Sequence, residues 1–210
     1  MHFSLTDLAA DITQNSAESG ADLVELEIWE QQLPAAGRDP AAMDGSSPAE
    51  GEFRFITRDN GRGMDDAELK RAMDPFVTDG IKHPGRKVGL GIPFLIQTAT
   101  QSGGGWKISS VKRGMEKSAD KPSGTEVEAW FDLANVDTPP VGDIPGLFRT
   151  VLLFEGPREV VLRRKRQGGG GDLDYAVKKT ELADVLGGLE DVSSLALLGR
   201  YLRSLEGEDG

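Results

Sequence analysis

"RDNGRGM", residues 58–64, sets Asp59, Asn60, Gly61 and Gly63 directly after the apolar alternation "FRFIT" of residues 53–57. The alternation reads as a strand, "EFRFITR". A glycine loop leaving a strand lets backbone approach a ligand closely, and an aspartate there offers a carboxylate acceptor to an exocyclic amine such as that of adenine. The same seven residues also read as a plain Asn-Gly surface turn. Their companions in the chain decide between the two.

Upstream, Leu5, Leu8, Ala9, Ile12 and Ser16 recur at helical spacing over residues 5–19. Asp11 and Asn15 stand four residues apart in that helix and share a face, with the Asn15 amide oxygen free to ligate a metal. Downstream, "GLG" at 89–91 opens a second helix, "IPFLIQTATQ", with Pro93 in its first turn. A helix N-terminus offers free N–H groups and about half a positive charge to an anion. Asn15 for magnesium, Asp59 for adenine, and Gly89 and Gly91 for phosphates are three parts of one Mg-ATP site. Magnesium takes few protein ligands beside phosphate oxygens, so a single amide suffices chemically.

The remaining chain supplies the scaffold. "LVELEIWE" alternates as a strand after the turn at Gly20, and residues 31–51, rich in Pro, Gly, Ala and Ser, read as a mobile loop. "MDDAELKRAMDPF" reads as a short helix with acids in its first turn. "WKISSVKR" and "TEVEAWFDL" are two further strands, and "ANVDTPPVGDIPG" is a proline-rich boundary. Beyond it, "LFRTVLLFEGPREVVLRRKR" predicts a hairpin turning at Glu155–Pro157, and the leucines after residue 181 predict two short helices broken near Gly187 and Gly188.

Composition narrows the chemistry. The 210 residues include no cysteine, which removes disulfides, thiolate metal sites and cysteine nucleophiles, and two histidines, His2 and His83. A net charge of -11 argues against nonspecific nucleic-acid binding, and "RRKR" at 163–166 reads as a solvated strand edge among acids. Neither a membrane-length apolar run nor a leader-like N-terminus is present in the sequence, which predicts a cytoplasmic protein without a membrane.

The boxes taken in order resemble the GHKL superfamily of ATP-binding domains, which groups histidine kinases, type II topoisomerases, heat-shock chaperones and mismatch-repair ATPases. "DITQNSAESGA" is similar to its N box, "DNGRGM" to its first glycine box, "GLGIPFL" to its second, and "GTEV" at 124–127 to its late Gly-Thr pair. By that resemblance Asn15 binds magnesium and Asp59 the adenine amine. Gly61, Gly63, Met64, Gly89, Leu90 and Gly91 line the nucleotide, and Thr125 hydrogen-bonds near adenine. "DPFVTDG" resembles the kinase "PFxT" stretch and brings in Thr78. Lys82, His83, Arg86 and Lys87 fall in the lid between the glycine boxes, where they meet phosphates or simply form a solvated basic loop.

Subfamily signals divide. The N box is closer to the mismatch-repair and topoisomerase form, since Glu18 stands where histidine kinases carry a Lys or Arg, whereas the second glycine box resembles histidine kinases and anti-sigma factors. Hydrolysing members place an acid four residues before the Asn as general base, and Asp11 holds that position. Aspartate, with an unperturbed pKa of about 3.9, is a weak base there, which predicts slow turnover; a solvent-facing helix residue is the competing reading of Asp11. His2 and His83 are poorly placed for internal autophosphorylation.

The sequence therefore predicts an α+β, two-layer sandwich of one mixed β-sheet against helices, with a small C-terminal β-hairpin plus helices. Its expected organisation is an ATP-binding domain at 1–135, a linker at 136–147 and a C-terminal module at 148–210. The expected function is a stand-alone regulatory ATPase that binds ATP and Mg2+, orders a lid at residues 78–88 and controls a protein partner. The alternatives are an anti-sigma-type kinase phosphorylating a partner in trans and a slow, mismatch-repair-like ATP-driven dimer. The tail's apolar helical positions would cover the sheet, form a lobe, or meet a partner or second copy, so a homodimer stays open.

Overall fold

Ser4 starts the first helix. Its hydroxyl accepts the Asp7 N–H and the Asp7 carboxylate accepts the Ser4 N–H, a reciprocal cap that satisfies two otherwise orphaned donors. This computed structural model describes residues 4–32, 51–74, 91–116, 122–168 and 171–208. Along the chain these form α1 (Leu5–Ala17), β1 (Leu23–Gln32), β2 (Gly51–Asp59), α2 (Asp66–Met73), α3 (Gly91–Gln101), β3 (Gly105–Val111), β4 (Gly124–Asp132), α4 (Ile144–Leu152), β5 (Glu159–Gln167), β6 (Leu173–Lys178), α5 (Lys179–Leu186) and α6 (Val192–Leu205).

The strands make one mixed sheet in the order β3-β4-β2-β1-β5-β6. Every neighbouring pair is antiparallel except β1 with β5, which run parallel. The sequence-predicted α+β sandwich is present, with the helices covering one face. Register arranges that inner face in rows. One row runs Arg164, Ile28, Phe55, Ala129, Trp106; the next runs Leu162, Leu26, Thr57, Val127, Ile108. Against these rows pack Leu5, Leu8 and Ile12 of α1, Leu95 and Ala99 of α3, Leu147, Phe148 and Val151 of α4, and Leu198 and Leu202 of α6, all in one buried core.

The outer face carries the opposite alternation. Lys165, Trp29, Arg54 and Trp130 are successive cross-strand neighbours from β5 to β4. Lys165 Nζ lies 4.8 Å from the Trp29 ring centroid, and the Arg54 guanidinium 5.5 Å from that of Trp130. Alternating cations and rings hold each other flat, and Trp130 spreads over Gly105, where a Cβ would meet its ring at 2.5 Å.

One element differs from the sequence reading. "LFRTVLLF" was expected as the first arm of a hairpin but lies in helix α4 and the turn after it. The Asp143 carboxylate accepts the Gly146 N–H, Pro145 occupies the first turn, and Leu147, Phe148, Val151 and Leu152 then share one buried helical face. The hairpin consists instead of β5 and β6, turning between Gln167 and Leu173, with Gly168 and Gly171 at positive φ. Residues 155–157 form the connection from α4 to β5.

The inner end of β5 buries a charge. Arg164 is 1% exposed, donates to Glu30 at 2.6 Å and to Glu206 at 3.2 Å, and shares Glu206 with the Tyr175 hydroxyl at 2.7 Å. Burial and the neighbouring Glu206 carboxylate push the Tyr175 phenol well above its ordinary pKa. Glu206 follows the last turn of α6, so the network ties the C-terminal helix to the far end of β1.

Removing the cation deprives the partly buried Glu30 of its ion pair and leaves the buried Glu206 with only Arg166 and the Tyr175 hydroxyl. We expect Arg164→Met to cost about 3–5 kcal/mol in urea unfolding, whereas Lys165→Met, one residue on and facing outward, should cost under about 1 kcal/mol.

Candidate functional site

Residues 53, 55 and 57 of β2 point into the core, and the alternation brings Asp59 to the same face at the strand's end. There the chain turns on the Asp59 side chain. Its Oδ1 accepts the Gly61 N–H at 2.9 Å and the Ser19 hydroxyl at 3.2 Å. Among the described residues nothing engages Oδ2. Asn60 faces the other way, and its amide oxygen accepts the Asp22 and Leu23 N–H groups at 2.9 and 3.0 Å, which fixes the start of β1.

The glycines of this loop answer to contacts. A Cβ on Gly61 would fall 1.8 Å from Ser19 Oγ. Gly63 has φ +60°, and a Cβ there would fall 1.9 Å from the Val111 carbonyl oxygen. The Met64 N–H then donates to Ser110 Oγ at 2.8 Å, and Ser110 lies 2.9 Å from the Thr125 hydroxyl. The first glycine box and the Gly-Thr pair are thus joined through Ser110.

The two helical parts also meet. Asp11 and Asn15 are exposed on α1, one turn apart. A Cβ on Gly91, the first residue of α3, would lie 3.2 Å from the Asn15 amide nitrogen and 3.7 Å from Ile12 Cδ1. Neither Asp11 nor Asn15 has a side-chain partner among the described residues. Thr78, Lys82, Lys87, Gly89 and Leu90, together with His83 and Arg86, lie outside the described residues.

Beside the site, α2 is clamped. Asp65 caps it by accepting the Ala67 and Glu68 N–H groups, and Glu68 accepts the Asp65 N–H in return. The Lys112 ammonium reaches Asp65 at 2.9 Å and Glu68 at 3.0 Å. The Lys112 hydrogen bond, with the Glu68 backbone N–H, holds the Asp65 carboxyl down at about 2, and the Glu68 carboxyl is also lowered.

Three supporting groups were not singled out from the sequence. Ser19 and Ser110 join strands and loops far apart in the chain, and Lys112 anchors α2. Ser110 carried a usable signal: it breaks the apolar inward set of Trp106 and Ile108 on β3. Ser19 and Lys112 carried none of that kind.

No group of three or more His, Cys, Asp or Glu side chains capable of holding a metal occurs among the described residues. The lone Asn15 amide, exposed and without a side-chain partner among the described residues, fits a cation that brings phosphate oxygens with it, while the glycines at 61, 63 and 91 admit the close approach of Ser19, the Val111 carbonyl and Asn15.

The family model for "Histidine kinase-, DNA gyrase B-, and HSP90-like ATPase" matches residues 4–135. The chain belongs to this ATPase family. Its domain is accordingly an ATP-binding one. A solved structure, the crystal structure of the N-terminal domain of a DNA repair protein, is similar in fold, with a TM-score of 0.51 at 10% identity, covering 91% of this chain. The chain spans 58% of that structure's length. No curated protein gives a significant match. No described helix is long and apolar enough to cross a membrane.

The α2 clamp titrates with a definite sign. The folded Asp65 carboxyl lies below its unfolded value of about 3.9, so its contribution is complete above about pH 4 and is lost as pH falls towards 2. Lys112→Met should raise the Asp65 carboxyl towards about 3.9 in a carboxyl NMR titration.

Proposed function

We propose that this chain is a regulatory ATPase that binds Mg-ATP and controls a protein partner through its nucleotide state. The observation that carries the reading is the Asp59 carboxylate, immobilised through one oxygen by Gly61 and Ser19 and unengaged at the other among the described residues, at the end of β2 beside Gly124 and Thr125, while Asn15 of α1 meets Gly91 of α3.

In this reading Asp59 Oδ2 accepts the adenine amine. Ser19 and the Gly61 N–H fix its direction, so little side-chain freedom is lost on binding. Thr125, positioned by Ser110, supplies the second polar contact to the base. Gly61, Gly63 and Met64 form the wall beside it, and Gly91 presents the α3 N-terminus to the phosphates. Asn15 holds the magnesium ion, which with ATP supplies an electrophilic terminal phosphorus when bound.

Asp11 takes the general-base position, one turn before Asn15. It is exposed and lacks a positioning hydrogen bond among the described residues, so the full general-base gain of about 10²- to 10⁴-fold is not available and turnover is slow. Slow turnover suits a nucleotide-dependent switch. The sequence places the lid at residues 78–88, with Thr78, Lys82 and Lys87 on the phosphates together with Gly89 and Leu90; its ordering is the step that a cytoplasmic protein partner would sense.

Calorimetric titration of Mg-ATP and Mg-GTP into wild type and Asp59→Asn, with phosphate release measured on the same samples, tests this. We expect adenine-selective binding, a loss of at least about 10-fold in Asp59→Asn, and slow release abolished in Asp11→Asn with binding retained. Binding without release, together with phosphate transfer to another protein, would assign a kinase acting in trans. ATP-dependent dimer formation in sedimentation would assign the dimeric ATPase.

A further inference from the structure

Thr57 is the one polar side chain in its row across the inner face of the sheet. Its row-mates are Leu162, Leu26, Val127 and Ile108. The residue is fully buried, and its Oγ1 has no hydrogen-bond partner among the described residues. An unpaired hydroxyl in such a place opposes folding, whereas valine has nearly the same shape without the polar group.

Its position gives the hydroxyl a use. Thr57 and Asp59 lie on the same face of β2, two residues and so about 7 Å apart along the strand. The row beyond Thr57 is where the face turns polar: Asp59 faces Val24 on β1, while Ser110 and Thr125 pair on the other side. Thr57 is therefore the innermost polar group of a line that starts at the Asp59 carboxylate. Val127 is its neighbour on β4, so the hydroxyl stands at the seam of the two strands that carry Asp59 and Thr125.

We propose that Thr57 is a base-reading residue, whose hydroxyl receives its missing hydrogen bond when a purine is held by Asp59. The inference rests on the ATP-binding reading of Asp59 and adds to it a determinant of which base is accepted. A hydroxyl that is unpaired in the free protein and paired in the complex contributes its whole hydrogen bond to binding. The cost is borne by the free protein, and ligand and fold are thereby in opposition at one atom.

That opposition makes the test two-sided. Thermal unfolding without nucleotide and calorimetry with Mg-ATP and Mg-GTP are measured for wild type, Thr57→Val and Thr57→Ser. Thr57→Val should raise Tm by about 2–4 °C while weakening Mg-ATP about 3- to 10-fold and lowering the ATP to GTP affinity ratio by a similar factor. Thr57→Ser, which keeps the hydroxyl, should retain the selectivity.

If Thr57→Val binds Mg-ATP as wild type does, or if Thr57→Ser loses as much selectivity as Thr57→Val, the hydroxyl does not read the base and the proposal is overturned. A wild type that binds no Mg-ATP removes instead the reading of Asp59 on which the proposal stands. The two failures are separated by the wild-type titration.

Discussion

Gly124 and Asp59 meet backbone against backbone: any side chain at 124 would place its Cβ 1.8 Å from the Asp59 carbonyl oxygen. This contact lets β4 close against the very end of β2, where the chain must already be turning. With φ +136°, Gly124 adopts a conformation that other residues rarely reach, so sterics and backbone geometry select the same residue. Everything polar at this end of the sheet depends on the closure. Thr125 comes level with Asp59, Ser110 bridges to the Met64 N–H, and the loop 60–64 is held between β3 and the end of α1.

Two kinds of order cooperate here. Backbone approaches are set by glycine and need no side-chain partner; directions are set by serines and threonines that bond across loops. The carboxylate of Asp59 belongs to both, because its Oδ1 closes its own turn through Gly61 and ties it to Ser19. An acceptor held in this way is preorganised, and a ligand that uses its second oxygen does not have to order it first.

Much of this was legible in the sequence because glycine has few reasons to recur. Gly61, Gly63 and Gly91 stand out since each marks a place where a Cβ would collide or crowd, and Asn15 and Asp59 stand out beside them. The strands were legible by alternation. Helix α4 was not, since its apolar run satisfies a buried strand as well as a helix, and the deciding signals, Asp143 and Pro145, precede the run. Ser19 and Ser110 were hidden for another reason. Their bonds connect residues 40 and 46 positions apart, and no local pattern records such a meeting. Thr57 reads as one more strand-forming residue until its neighbours across the sheet are known.

The parallel pairing of β1 with β5 imposes an order on assembly. Arg164 and Glu30, which meet across that pair, are 134 residues apart in sequence. During synthesis the β1 edge must wait, unpaired, until the chain has been extended past β5, long after β2 and β4 can take their places on the other side. For that interval the growing chain presents a strand edge with Val24, Leu26 and Ile28 beside it, the kind of surface that other nascent chains can pair with. The glutamates at 25, 27 and 30 along this edge place negative charge where such pairing would begin, and the same residues later receive Arg163 and Arg164 when β5 docks. Charge that deters premature association thus becomes the docking partner of β5.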